Sequence, residues 1–124
     1  MKRLGLVVIA RDEARCIARC LASARPFVDQ MIVLDTGSLD ETAAIAAACG
    51  AEVHRFTWCD DFAAARNAAL AYSTAAWNLV LDADEWIEAD GAAPALTAAI
   101  GAAQPFVGLL AVARQHLLLG AQLL

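Results

Sequence analysis

Trp77-Asn78-Leu79-Val80-Leu81-Asp82-Ala83-Asp84-Glu85 is an apolar run of strand length that stops abruptly in carboxylates. A run with no polar alternation predicts a strand covered on both faces, as in a parallel sheet flanked by helices. Ligands of such sheets gather at the carboxyl ends of the strands. Asp82 and Asp84 alternate along the chain, so at a strand end they share a face. Two carboxylates held together repel each other unless a cation joins them. Oxygen ligands of this kind suit Mg²⁺ or Mn²⁺, which are often held by one or two carboxylates together with substrate phosphates. A diphosphate is then the natural other half of the site. The plainer reading is a solvated acidic turn in which Asp84 or Glu85 caps the next segment.

Working outward, the same pattern recurs upstream. Leu4 to Ala10 is a continuous apolar run followed by Asp12 and Glu13. Gln30 to Leu34 is a second run that ends at Asp35, and Glu52 to Phe56 a short third. Between them lie helix patterns. One spans about Ala14 to Ala24, with Ile17, Cys20, Leu21 and Ala24 as its inner stripe and Pro26 as its stop. The next is opened by Ser38-Leu39-Asp40-Glu41, which matches the capping box, and closed after Cys49 by Gly50. The third is capped by Asp60 or Asp61 and runs to about Tyr72. Downstream, Ala92 to Ile100 reads as a helix and Val107 to Val112 as a fifth strand. Alternating strands and helices predict an α/β fold, a mainly parallel sheet with helices on both faces.

The chain has 124 residues, enough for one domain, 1–124, and not for two. Hydrophobic residues make up 60% and charged residues 19%, which excludes a disordered chain. The net charge is -5 and no basic stripe is present, which argues against nucleic acid as a partner. No apolar stretch is long enough to span a bilayer, and the short N-terminal run reads as a strand rather than a signal peptide. Of the four cysteines, Cys16 and Cys20 stand four apart, but no further Cys or His completes a zinc site. Buried free thiols in a cytoplasmic protein are expected, a setting that includes the inner face of the membrane.

Asp35, at a strand end, is placed either to accept hydrogen bonds from a ligand or to accept amides of its own turn. Arg66 borders the inner face of its helix, where it either reaches a phosphate or joins a surface ion pair. His54 and His116 read as structural or exposed. Trp58, Trp77 and Trp86 read as packing anchors, with Trp86 also placed to stack beside the acidic cluster. The chain has no G-x-S-x-G, Walker or G-x-G-x-x-G motif. A phosphoryl-transfer enzyme with an Asp nucleophile in D-x-D is disfavoured, because that motif normally follows the first strand and here it follows the fourth.

Four ordered segments, Ile9 to Glu13, Val33 to Thr42, Trp58 to Asn67 and Leu81 to Glu85, resemble family 2 glycosyltransferases. The similarity is to the bacterial branch fused to tetratricopeptide repeats or related to lipopolysaccharide-core and peptide glycosyltransferases. It covers about Leu4 to Ile87, and 88–124 are only loosely assigned. The resemblance implies a GT-A fold that binds a nucleotide-diphosphate sugar and Mn²⁺ or Mg²⁺. Asp35 would contact the nucleobase or ribose and Glu13 would lie beside the nucleotide. Arg66 would face the diphosphate, Asp82 the ribose or sugar, and Asp84 the metal. Transfer would go to an acceptor of unknown kind (glycan, lipid-linked glycan or peptide) by inverting displacement. Asp12 stands where the family usually has Asn, Leu39 where a small polar residue is common, and Ala75-Ala76 where Gly-Asp is usual. The general base of such enzymes lies well beyond the metal motif. Glu88 and Asp90 come too early for it, so only the donor-binding part is expected here. The alternative is a nucleotide-sugar and metal-binding module without turnover. An open sheet edge and the apolar Leu117 to Leu119 and Leu123 to Leu124 would favour self-association.

Overall fold

The computed structural model describes residues 4–87, 108–111 and 121–123. Strands β1 (Leu4–Ala10), β2 (Gln30–Asp35), β3 (Glu52–Arg55), β4 (Trp77–Asp82), β5 (Gly108–Ala111) and β6 (Ala121–Leu123) form one sheet in the order β3-β2-β1-β4-β5-β6. The first five are parallel and β6 runs antiparallel to β5. Helices α1 (Ile17–Ala24), α2 (Thr42–Ala48) and α3 (Phe62–Ala71) lie between them.

The side-chain period of two sorts the strands into two cores. Leu6, Val8 and Ala10 of β1, Met31 and Val33 of β2, and Leu79 and Leu81 of β4 pack with Ile17, Cys20, Leu21 and Ala24 of α1 and Ala46 of α2. Val7 and Leu34, with Ile9 and Val80, face Ala65 and Ala69 of α3 instead. Both faces are thus covered, as the unbroken apolar runs predict. The alanine-rich helices contribute little buried area themselves; the larger fully buried side chains are mostly strand Leu, Val and Ile.

The inner stripe of α1 matches its expected four residues, but α1 begins at Ile17 rather than Ala14. Residues 14–16 form a turn whose Cys16 and Ile17 amides both donate to the Glu13 carbonyl, at 3.0 and 2.9 Å. The capping box is not realised. α2 starts at Thr42, and Asp40 Oδ1 accepts the Thr42 amide at 2.9 Å, because Ser38 is engaged elsewhere. Gly50 follows α2 at φ +90, the left-handed cap that only glycine adopts readily. Asp61 caps α3 by accepting the Ala64 amide at 3.1 Å. β5 falls inside the expected fifth strand. The helix expected over Ala92 to Ile100, His116, and the apolar Leu117 to Leu119 and Leu124 lie outside the described residues. Among the described residues no helix is long and apolar enough to cross a membrane.

The cysteines are free thiols: Cys20 is buried, Cys16 and Cys49 half-buried, and Cys59 exposed. Burial thus holds for Cys20 and fails for Cys59, which sits in the loop before α3.

Candidate functional site

β1, β2 and β4 all end at one rim, where Ala10 pairs with Asp35 and Ile9 with Asp82. A cleft of about 490 Å³ opens there. Its lining includes Arg11 and Glu13 after β1, Thr36 after β2, Trp58 and Phe62 from the approach to α3, and Asp82 and Asp84 at the end of β4. Three of the expected site residues, Glu13, Asp82 and Asp84, therefore converge.

The acidic segment is a turn. The Glu85 amide donates to the Asp82 carbonyl at 2.9 Å, and the Glu85 carboxylate accepts the Asp82 amide at 2.8 Å. Glu85 thus closes the turn, while the Asp82 side chain stays exposed and Asp84 is half-buried beside it. The Cys20 thiol donates to the Asp82 carbonyl from behind, at 3.7 Å. Burial, and then the charges of Glu85, Asp82 and Asp84, push that thiol up to about 12, so it stays protonated and inert as a nucleophile. Among the described residues no three His, Cys, Asp or Glu side chains group to hold a metal ion. A carboxylate pair in a cleft of this size fits a Mg²⁺ or Mn²⁺ that shares its ligands with a diphosphate, and does not fit a cation held by protein alone.

Asp35 does not line the cleft but lies next to Thr36, which does. It is 1% exposed. Oδ1 accepts the Gly37 and Ser38 amides at 3.0 and 2.8 Å, so the self-capping reading of this residue is realised. Oδ2 is buried with no hydrogen-bond partner among the described residues. Burial alone would raise the carboxyl, but the donors from Ser38 and Gly37 and the charge of Arg55 outweigh it and hold Asp35 below 3.8. A buried ionised oxygen without a partner is costly, so it is a ready acceptor for a ligand's N–H or O–H.

Arg66 is exposed on α3 and is not part of the cleft lining. Ala65 and Ala69 take the inward positions of α3, which turns Arg66 away from the sheet. It stands one helical turn after Phe62, on the side of the cleft.

Sequence reasoning missed Arg11, Thr36 and Phe62. Phe62 is 70% exposed on the cleft wall and meets Trp58 edge-to-face at 4.8 Å. Its signal was an aromatic residue placed directly after the Asp61 cap. Trp58 packs against the α3 core as expected and also lines the cleft; its indole N–H donates to Asp60 at 3.0 Å. Trp77 is a core anchor, 6% exposed. His54 stacks on Tyr72 away from the cleft, and its Nε2, without a hydrogen bond, lies 3.7 Å from Glu52.

The loops that follow β1 and β2 are clasped together. Asp12 Oδ1 accepts the Leu39 and Asp40 amides at 2.7 and 3.3 Å. In return, the Asp12, Glu13 and Ala14 amides donate to Ser38 Oγ, Thr42 Oγ1 and Asp40 Oδ2. Ser38 is therefore a clasp residue, which explains the missing capping box.

Residues 6–115 match the model of glycosyl transferase family 2. A TPR repeat-containing protein of Synechococcus elongatus is 55% identical over 85 residues, which are 68% of this chain and 21% of that protein. An uncharacterized glycosyltransferase of Rickettsia felis is 35% identical over 68% of this chain and 30% of its own length. Glucosyl-3-phosphoglycerate synthase from Mycobacterium tuberculosis, solved with Mn²⁺, UDP and glucosyl-3-phosphoglycerate, superimposes with a TM-score of 0.60 at 25% identity, over 68% of this chain and 36% of that one. The chain thus spans under a third of the length of these curated relatives, and the parallel sheet with helices on both faces is of the GT-A type. With the family model spanning most of the chain and the rim residues converging on one cleft, this chain belongs to glycosyl transferase family 2.

Proposed function

We propose that this chain binds a nucleotide-diphosphate sugar together with Mn²⁺ or Mg²⁺, as the donor part of a sugar-transfer enzyme. The observation that carries the reading is the cleft itself, in which Glu13, Asp82 and Asp84 meet at the ends of strands β1 and β4. The Mn²⁺ and UDP bound by the mycobacterial synthase support the same ligand class here. Asp84 would hold the cation, and Asp82 beside it would contact the ribose or sugar. When bound, that cation would offset the charge of the leaving diphosphate in an inverting displacement. Asp35 Oδ2 takes a donor hydrogen of the base or ribose, and Glu13 lies against the nucleotide. Arg66, exposed on α3 one turn after Phe62, faces the phosphates. The acceptor is a glycan, a lipid-linked glycan or a peptide, met in the cytoplasm.

A second reading, binding without turnover, is favoured by one observation. Among the described residues, the only carboxylates that line the cleft are Glu13, Asp82 and Asp84, all of them assigned to the donor. None is left to deprotonate an acceptor hydroxyl. Self-association through apolar surface belongs to the same proposal, and light scattering reads it directly.

Calorimetric titration with UDP and GDP, with and without Mn²⁺, tests the site. The expected result is nucleotide binding that Mn²⁺ strengthens, with that gain lost in Asp84→Ala. Binding indifferent to Mn²⁺ in the wild type rejects the reading. Release of free sugar from a sugar nucleotide then separates enzyme from binder.

A further inference from the structure

α1 stands behind the cleft and joins two parts of its wall. Its leading loop carries Arg11 and Glu13, and its second half meets the acidic turn. Cys20 and Ser23 are three residues apart on α1, so they share a face of the helix. The Cys20 thiol donates to the Asp82 carbonyl at 3.7 Å, at the start of the acidic segment. Ser23 Oγ accepts the Ile87 amide at 2.9 Å, at its end. The same hydroxyl donates to the Cys20 carbonyl at 2.8 Å, which fixes its rotamer. Between these points the Arg19 guanidinium lies 4.0 Å from the centre of the Trp86 ring.

We propose that Ser23 is a positioning residue, which pins the segment Asp82 to Ile87 to α1 and thereby sets where Asp84 presents its carboxylate. The inference rests on the reading of Asp84 as a cation ligand. Its physical basis is the path of the chain. Past Asp82 no strand pairing fixes the backbone; Ala83 and Ile87 are buried in the core beside α1, and the Ser23 hydroxyl is the hydrogen bond that sets how Ile87 sits there. Ile87 is 4% exposed, so its amide has little access to water to replace the hydroxyl. With that hydrogen bond lost, Ile87 shifts within its core contact, and the carboxylates lose their fixed aim at the cleft. Partners that orient a ligand without touching the metal are worth about ten- to a hundredfold in metal affinity.

The test measures UDP affinity of the chain with and without Mn²⁺ in the wild type, Ser23→Ala and Ser23→Thr. Ser23→Ala is expected to reduce the gain from Mn²⁺ about tenfold, while UDP affinity without metal stays unchanged. Ser23→Thr, which keeps the hydroxyl, restores the gain. A merely structural role would weaken both affinities together, and that result, or a wild-type gain in Ser23→Ala, overturns the inference. A wild type without any gain rejects the cation reading itself, and the inference with it. Should Ser23→Ala fail to fold, Arg19→Ala at the exposed end of the same contact is read by the same rule, with an expected loss of about threefold.

Discussion

Asp12 shows what a single residue does for the rim. It sits at φ +53, in the left-handed region that Asn and Asp tolerate better than other side chains. Its Oδ1 binds the Leu39 and Asp40 amides and so ties the loop after β1 to the loop after β2. Both demands, a left-handed backbone and a short side-chain acceptor, are met equally by Asn. Asp12→Asn is therefore expected to leave the unfolding free energy from urea denaturation within about 0.5 kcal/mol of the wild type. Asp12→Ala meets neither demand and is expected to cost about 1–2 kcal/mol. Equal losses in both variants would show that the charge, not the geometry, matters. The sequence marks Asp12 as a departure from the family pattern, but a bond that spans 27 residues leaves no local trace in it. For the same reason the unpartnered Asp35 Oδ2 was not foreseen, although Asp35 itself stands out as the acid that ends an apolar run.

At the scale of elements, α2 shows where local signals hold and where they yield. Its end was legible, because Gly50 is the sole residue type at ease at φ +90 after a helix. Its start was not, because Ser38 satisfies the Asp12 amide across the clasp and leaves the helix to begin four residues later. Tertiary demand thus outweighs a capping motif worth about 1 kcal/mol. The cap after α2 also carries a second contact. Arg25 Nη1 donates to the Cys49 carbonyl at 2.8 Å, and a Cβ on Gly50 would stand 2.6 Å from that nitrogen. Gly50→Ala is strained by its φ and displaces the Arg25 side chain, so a loss of about 1–2 kcal/mol is expected in urea denaturation. Since Gly50 lies at the opposite ends of the strands from the cleft, nucleotide affinity should not change. An unmoved midpoint would mean that the turn relaxes at no cost. The parallel case is α3, where the sequence puts Arg66 at the border of the inner face, while in the packed helix Ala65 and Ala69 take that face and Arg66 turns outward.

At the scale of the whole molecule, the sheet and its rim were legible because a doubly covered parallel sheet writes itself as unbroken apolar runs, each ending where the ligand end begins. The antiparallel return of β6 was not, because three residues carry no periodic signal. Among the described residues the two carboxylates with depressed values, Asp35 and Asp40, both belong to the clasped rim, which ties the acid stability of the fold to the site. Burial raises Asp35, and the Ser38 and Gly37 donors and Arg55 more than reverse it. For Asp40 the Thr42 hydroxyl and then the Thr42 amide lower the value, against a small opposing effect of desolvation. A carboxyl whose folded value lies below its unfolded 3.8 binds protons less readily in the folded state. Its contribution is therefore fully present above pH 3.8 and is lost as pH falls through the lower, folded value. The expected outcome is a urea midpoint that declines below about pH 4, with Asp35→Asn less stable at neutral pH but flatter in its acid dependence. Asp40→Asn should flatten it less, because Asp40 is exposed and solvent screens its partners. A decline just as steep in Asp35→Asn would place the acid sensitivity elsewhere than at Asp35, and one just as steep in both variants elsewhere than at the rim. Measured alongside UDP binding, the same titration tests whether the clasp opens before the sheet. Loss of nucleotide affinity at a higher pH than loss of the strand signal in circular dichroism is the expected order, since the rim loops are held by exposed hydrogen bonds and the strands by a closed core.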